Sequence, residues 1–497
     1  MAQRHGGIGR SLLAATAVAV AGCLVVWFGS ADCLQAFFHF DDYWVLQAAS
    51  RIQLNSLADL SAFFAPINGF LLYRPLSTLA YFFGLQLAFG HDPVAYHAVQ
   101  MAFQVINAVL VYALADRIIF ASRVPAAATA VLYLTAPGHA IATCWNALFT
   151  MTGAAFFYFL GLWAWVGIDG RSRGPLALLC FVAALLSSEH GISFPLAVSA
   201  ATVLLYPRTS WRHGLWAQVT MYALAAAYVL AKLYYVRVVL PVSETDPMAR
   251  AIALQGYSPQ FDPATMVTQL ATYLGFATGV LYPIAEKAWV KWILGSAFIG
   301  TWMITTIAVL SGRLSSRPVR LVSFGLTLFG TALGPVLILP NHVYSYYIGT
   351  AAAGFSLALV GAFDFLPLRG RRLCTWLLIP AALVVYAVTI GAVRQSEEFR
   401  FFRSFTTASA RWLYSVTVAT ATERTNEVVV PQSAVTEMIF DRWEAHRVLL
   451  CAGYEVRTTE RIEDVPPAPR RAVILRPLDL PSGEQRRWAW LPRRCPR

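Results

Sequence analysis

The sequence predicts an all-α polytopic membrane protein. It reads as a bundle of about eleven transmembrane helices plus one re-entrant or partial helix, followed by a small α/β appendage. Three observations predict it. First, 58% of the 497 residues are hydrophobic and only 13% are charged, whereas a soluble domain carries about a quarter charged residues. Second, apolar runs of about 20 residues recur along the chain, each long enough to span roughly 30 Å of hydrocarbon. Third, the net charge of +12 is nearly all arginine, clustered in short loops between apolar runs. That is how membrane orientation is encoded. A nucleic-acid surface would gather its arginines on one face, so nucleic acid is excluded as a partner.

The N-terminus is basic up to Arg10 and apolar from Ser11 to Gly29. The apolar run is longer than a signal core and Ala31-Asp32-Cys33 is a poor cleavage site, so we expect an uncleaved first helix. The further spans are expected near 96–116, 124–142, 147–168, 174–187, 190–206, 214–235, 289–310, 321–339, 347–365 and 373–393. One more apolar stretch, 264–284, contains Gly275, Gly279 and Pro283 and makes a weak continuous helix.

The arginines decide whether that stretch crosses. Arg4 and Arg10, Arg117 and Arg123, Arg171 and Arg173, Arg208 and Arg212, Arg313, Arg317 and Arg320, and Arg369, Arg371 and Arg372 all fall on one side if it does not. If it does, the last two clusters flip and break the positive-inside bias. We therefore expect 264–284 to be re-entrant or to lie against the bundle. A bacterial inner membrane is the expected location, with the C-terminus outside the cytoplasm.

This topology divides the chain into a membrane domain, 1–393, with a long outer loop at 30–95, and an outer tail, 394–497. The tail holds half of the acidic residues. Glu427-Val428-Val429-Val430 reads as a strand and Thr436–Leu450 as an amphipathic helix. None of the seven cysteines forms a CxxC pair, which argues against a zinc site. Cys23, Cys180 and Cys374 sit in apolar runs as small hydrophobes. Cys451 and Cys495 share the tail and are the candidates for a disulfide in an oxidising compartment.

The polar residues of the outer loop carry the chemistry. Asp41 and Asp42 follow the first span, flanked by Phe40, Tyr43 and Trp44. A partly desolvated carboxylate there suits a general base acting on a hydroxyl at the membrane surface. The alternative is a cap on a short helix starting near Tyr43. Arg74 is an outer-side arginine against the charge bias. Its planar fork fits a lipid phosphate, and an ion pair with Asp41 or Asp42 is the alternative. His97, Gln100, Gln104 and Asn107 fall on one face of the second span. Such a stripe either glues helices together or lines a wet cavity, with His97 the functional candidate. Glu189 and His190 stand at the junction of two apolar spans, where an ionisable group needs a partner. Asn341 and His342, beside Tyr344, Tyr346 and Tyr347, form a late outer turn.

Taken in order, these features resemble the GT-C superfamily of membrane glycosyltransferases, nearest its protein O-mannosyltransferase-like and TMTC-like branch. The resemblance rests on several short stretches: the acidic pair, Tyr73-Arg74-Pro75-Leu76-Ser77, the Gly90–His97 stretch, Ser187-Ser188-Glu189-His190 with Ser193-Phe194-Pro195-Leu196, and the tyrosine-rich turn before Gly349. It runs over about residues 10–395. It implies an outward-facing cavity fed by a polyprenyl-phosphate sugar, and a protein, lipid or glycan acceptor amid membrane lipids.

The resemblance also assigns roles. Asp42, or its neighbour Asp41, becomes the catalytic acid, and Arg74, His97, Glu189, His190, His342 and Tyr344 become donor-binding residues. Lys232, Arg237 or a divalent metal would assist Arg74 at the phosphate; no other cofactor is implied. Two cations of the family pattern are absent. Ser188 stands where the family has lysine, and Asn341 where it has arginine. Other readings of the same chain are a polysaccharide polymerase or ligase, a transporter or flippase, and a degenerate scaffold that binds a lipid-linked sugar without transferring it.

Overall fold

The computed structural model describes residues 8–38, 41–64, 73–118, 123–168, 172–206, 214–239, 259–279, 287–312 and 316–396. Beyond these it describes 399–400, 403, 406, 410–416 and 418, and the short tail segments 427–431, 455–459 and 472–474. The expected helix at 436–450 and the pair Cys451 and Cys495 lie outside the described residues.

The first apolar run forms α1, Ile8–Ser30. The outer loop holds α2, Asp41–Ser50, and α3, Tyr81–Phe89. Gly90 ends α3 at a φ of 64°, a conformation that favours glycine. Asp92 then opens the next helix: its Oδ1 accepts from Val94 N at 3.0 Å and Pro93 fills the first helical position, where no N–H is needed. The spans follow as α4 (Pro93–Ile118), α5 (Arg123–Leu134), the short α6 (His139–Cys144), α7 (Phe149–Gly167), α8 (Arg173–Ser187), α9 (Phe194–Leu205) and α10 (Leu215–Tyr234). The second half contains α11 (Pro263–Thr278), α12 (Ala288–Leu310), α13 (Arg317–Leu337), α14 (Ile348–Ala362) and α15 (Leu368–Gln395).

Among the described residues, eight helices are long and apolar enough to cross a membrane, and the chain is a multi-pass integral membrane protein. Four shorter apolar helices, Leu76–Phe89, Arg123–Leu134, Arg173–Ser187 and Glu189–Leu205, accompany them. Eleven spans were expected; the expected spans at 124–142, 174–187 and 190–206 appear here as helices of fewer than 18 residues. Outward faces are apolar where lipid would lie: Trp289, Ile293, Ile304 and Ile307 of α12 are all more than half exposed. The tightest helix pair is α13 with α14. A Cβ at Gly325 would meet the Ala358 backbone, and one at Gly354 would meet that of Phe329. Small residues allow this approach, which supplies packing contacts where lipid gives no hydrophobic drive.

One rim gathers several helix ends. Arg394 of α15 reaches Phe28 O at 3.1 Å and Asp32 at 3.5 Å. Ser30 Oγ and Thr143 Oγ1 are 2.7 Å apart, and Ser77 Oγ donates to Ser187 O at 2.6 Å. The opposite end carries Arg173, whose guanidinium lies over the Trp165 and Tyr206 rings at 4.4 and 5.4 Å.

α11 starts and finishes at the first rim. Before it, Gln260 N donates to Ile338 O at 2.7 Å. With its amide nitrogen turned toward them, Gln269 donates to Val336 O and Leu337 O at 3.1 and 2.9 Å. After it, a Cβ at Gly279 would touch Pro137 and Thr389. Both ends of the helix therefore meet rim residues of its neighbours.

In the tail, β1 (Glu427–Pro431), β2 (Glu455–Thr459) and β3 (Ala472–Ile474) form a parallel sheet in the order β2-β1-β3. Val428 pairs with Val456 and with Val473. The Val-rich run at 427–430 takes the central position, paired on both edges. Parallel neighbours require crossover connections, so an α/β appendage fits this order.

Candidate functional site

The chemistry-bearing residues converge on the first rim in two adjoining groups. The first is built under α2. Asp41 and Asp42 both fall in its first turn, where carboxylates complement the helix dipole. They differ sharply in surroundings. Asp41 is half-buried and accepts from Trp44 Nε1 at 3.0 Å. Asp42 is 0% exposed, and its Oδ1 accepts from Ala147 N at 2.6 Å.

Ala147 belongs to the single turn Asn146–Leu148 between α6 and α7. That break in the helix leaves backbone groups without intrahelical partners, and α2 and α4 satisfy them. Gln100 of α4 donates to Ala142 O and to Trp145 O. Asn107 donates to Thr152 O at 2.9 Å. His97 Nε2 lies 3.3 Å from Asn146 Nδ2. Much of the polar stripe is therefore helix glue, clasping the α6–α7 break. His97 meets the Asp42 group through Asn146, a residue that carried no signal in the sequence because its partner is remote in the chain.

The second group is ionic. Glu189 Oε2 accepts from Arg74 Nε at 2.8 Å, and its Oε1 from Lys232 Nζ at 3.0 Å. The exposed fractions of the three side chains run from 16% for Glu189 through 18% for Arg74 to 25% for Lys232. Each is brought by a different element. Arg74 precedes a turn pinned by Thr78 Oγ1 on Arg74 O. Glu189 starts the turn that joins α8 to α9. Lys232 sits in the last turn of α10. Arg74 pairs with Glu189, and the Ser77–Ser187 bond draws its turn toward the α8–α9 junction.

Burial would raise the Glu189 carboxyl, but Arg74 and then Lys232 outweigh it and hold it well below the usual carboxylate range. Among the described residues the cluster brings two cations to one carboxylate. Lys232 supplies from α10 a cation that Ser188 does not. Arg237, a second expected helper, is exposed.

The tyrosine-rich turn closes this side. His190 stacks on Tyr347 at 5.1 Å, and its Nδ1 is 3.1 Å from Ser188 Oγ. His342 meets Tyr344 edge-on at 5.3 Å, Tyr344 stacks on Tyr346 at 5.2 Å, and Tyr346 meets Trp145 at 6.2 Å. Burial, and to a smaller extent Arg74, lowers the pKa of His342 below its ordinary value. Through Trp145, which adjoins Asn146, the aromatic run links the ionic group to the Asp42 group.

Among the described residues, no group of three or more His, Cys, Asp or Glu side chains is placed to hold a metal ion. In the ionic cluster one carboxylate is shared by two cations, a donor set that does not suit a divalent cation.

No family model and no curated protein sequence matches the chain. Among solved structures it is similar to ArnT from Cupriavidus metallidurans, bound to undecaprenyl phosphate. That match has 16% identity and a TM-score of 0.45, over 87% of this chain and 75% of that one. It is also similar to the archaeal oligosaccharyltransferase AglB from Archaeoglobus fulgidus, in complex with an inhibitory peptide and a dolichol-phosphate. There the identity is 12% and the TM-score 0.43, over 87% of this chain and 63% of that one. Neither likeness assigns a residue.

Proposed function

We propose that this chain is a membrane glycosyltransferase of the GT-C kind. It takes a sugar from a polyprenyl-phosphate carrier on the outer face and passes it to an acceptor hydroxyl. The observation that carries this reading is the Arg74–Glu189–Lys232 cluster. It brings two cations to the rim that also holds a buried carboxylate and an aromatic run. A phosphate leaving group needs charge neutralisation rather than a proton, and two N–H-bearing cations provide it.

In this mechanism the acceptor oxygen attacks the anomeric carbon as Asp42 takes its proton. The bond from that carbon to the phosphate oxygen breaks, and the electron pair leaves with the lipid phosphate. A single displacement inverts the anomeric centre. Glu189 holds the two cations apart and aligned before the donor arrives. The tyrosines and His342 give the sugar flat apolar faces and polar edges. Asp42 is enclosed, so the acceptor enters by parting the cover over α2. The enclosure keeps water from competing for the sugar. The arginine bias supports an outer location for this rim.

The test is transfer from a radiolabelled polyprenyl-phosphate sugar in membranes, comparing wild type with Asp42→Asn and Lys232→Met. Transfer unaffected by both substitutions in correctly inserted protein removes the proposal. One observation favours a second reading, a scaffold that binds a lipid-linked sugar without transferring it: Glu189 already occupies both cations. Donor binding without any transfer would select that reading.

A further inference from the structure

We infer that the disulfide between Cys33 and Cys144 is a positioning device that fixes Asp42 against the α6–α7 break. The spacing of the seven cysteines did not suggest this bond. Cys33 lies in the turn Ala31–Gln35, between α1 and α2, and Cys144 is the last residue of α6. Their Cα atoms are 4.8 Å apart, within bridging range. Both residues are buried, at 3% and 0% exposed.

The bond is one of three links in sequence register between the same two segments. Ser30 Oγ meets Thr143 Oγ1 at 2.7 Å, Cys33 is joined to Cys144, and Asp42 Oδ1 accepts from Ala147 N at 2.6 Å. The covalent link stands between the two polar ones. It therefore limits how far the α2 end can drift from the break that holds Asn146 and Ala147.

The other contacts of α2 are non-covalent. Phe37, Tyr43 and Leu46 share one apolar cluster with Phe82, and with Ala410 and Leu413 from the helical turn after the last span. A cover formed by that turn can open while the bonded side stays fixed. The arrangement keeps Asp42 aligned through entry and release of an acceptor. A carboxylate misplaced by about 1 Å loses on the order of a hundredfold in rate. The two cysteines touch no reacting atom; they act through Asp42. The inference rests on the assignment of Asp42 as the base.

The test uses the full chain in lipid nanodiscs. Peptide mapping without reductant should recover residues 33 and 144 in one cross-linked pair. In the double variant Cys33→Ala, Cys144→Ala, hydrogen exchange at amides 41–50 and at Ala147 should rise at least tenfold, while α13 and α14 keep wild-type protection. Transfer should fall at least tenfold in kcat with KM for the donor unchanged, because Arg74, Glu189 and Lys232 are carried by elements other than the two that the bond joins. The pair Cys33→Ser, Cys144→Ser, whose hydroxyls can still meet, should recover part of both losses and guards against a folding defect in the alanine pair.

Two free thiols in the mapped protein, or unchanged exchange in α2, overturns the inference. A kcat loss matched by an equal rise in KM overturns it too, since that pattern belongs to general loosening. If the wild type transfers no sugar, the proposed function falls, and the exchange result still decides whether the bond positions α2.

Discussion

Replacing Glu189 by glutamine keeps the shape of the side chain and removes its charge. Two contacts change at once, Arg74 Nε at 2.8 Å and Lys232 Nζ at 3.0 Å. At about 3 Å and an effective dielectric near 20, each is worth about 5 kcal/mol before desolvation. The three side chains keep 16 to 25% of their exposure, so water screens part of this, and the carboxylate has lost hydration. A net loss of about 1–3 kcal/mol on Glu189→Gln follows, between the values for surface and buried pairs.

The pH dependence has a definite sign. The folded carboxyl is held below its ordinary value of 4.5. Its stabilisation is therefore complete above about 4.5 and is lost as pH falls further. The assay is thermal unfolding in detergent micelles for wild type, Glu189→Gln, Lys232→Met and the double variant. The wild type should lose more stability than Glu189→Gln does as pH drops below about 4.5. The double-mutant cycle should give a coupling of at least about 1 kcal/mol. A coupling within about 0.5 kcal/mol of zero, with parallel pH curves, would refute the ionic account of the site.

Other outcomes follow from the same geometry. Asp42→Asn should cut transfer by about 10²–10⁴-fold, the range for a lost general base, while Asp41→Asn, which keeps an oxygen to accept from Trp44 Nε1, costs far less in the same labelled-donor assay. Lys232→Met should raise KM for the donor about tenfold, or about 1.4 kcal/mol, and Glu189→Gln, which leaves both cations to the phosphate, should lower it in steady-state kinetics. Gly191→Ala would set a Cβ 2.6 Å from the Ala184 and Leu185 backbone. Because backbone cannot yield as a side-chain tip does, the yield of folded protein on size exclusion should fall.

Much was legible in the sequence because it depends on local averages. Bilayer thickness fixes the length of an apolar run, and loop arginines fix which ends share a side. That reasoning gave the spans and kept α11 from crossing. In the structure eight described helices are long enough to span, and α11 begins near Ile338 and finishes against Pro137 and Thr389. The Val-rich strand at 427–430 was legible for the same local reason. The candidate residues were legible as exceptions, since a carboxylate or an outer arginine in an apolar chain is costly and asks for a reason.

Partners were not legible, because a partner is a matter of which helix lies beside which. Nothing local joins Arg74 to Glu189, or Lys232 to either. Nothing local says that Asp42 reaches the backbone of Ala147 while Asp41, one residue earlier, stays with Trp44. Nothing in their spacing joins Cys33 to Cys144. The sequence by itself determined a membrane bundle with charged and polar residues that had to be satisfied at one rim. Only the tertiary structure decided which groups satisfy them, because hydrogen bonds and ion pairs act over about 3 Å and that distance is set by helix packing rather than by position in the chain.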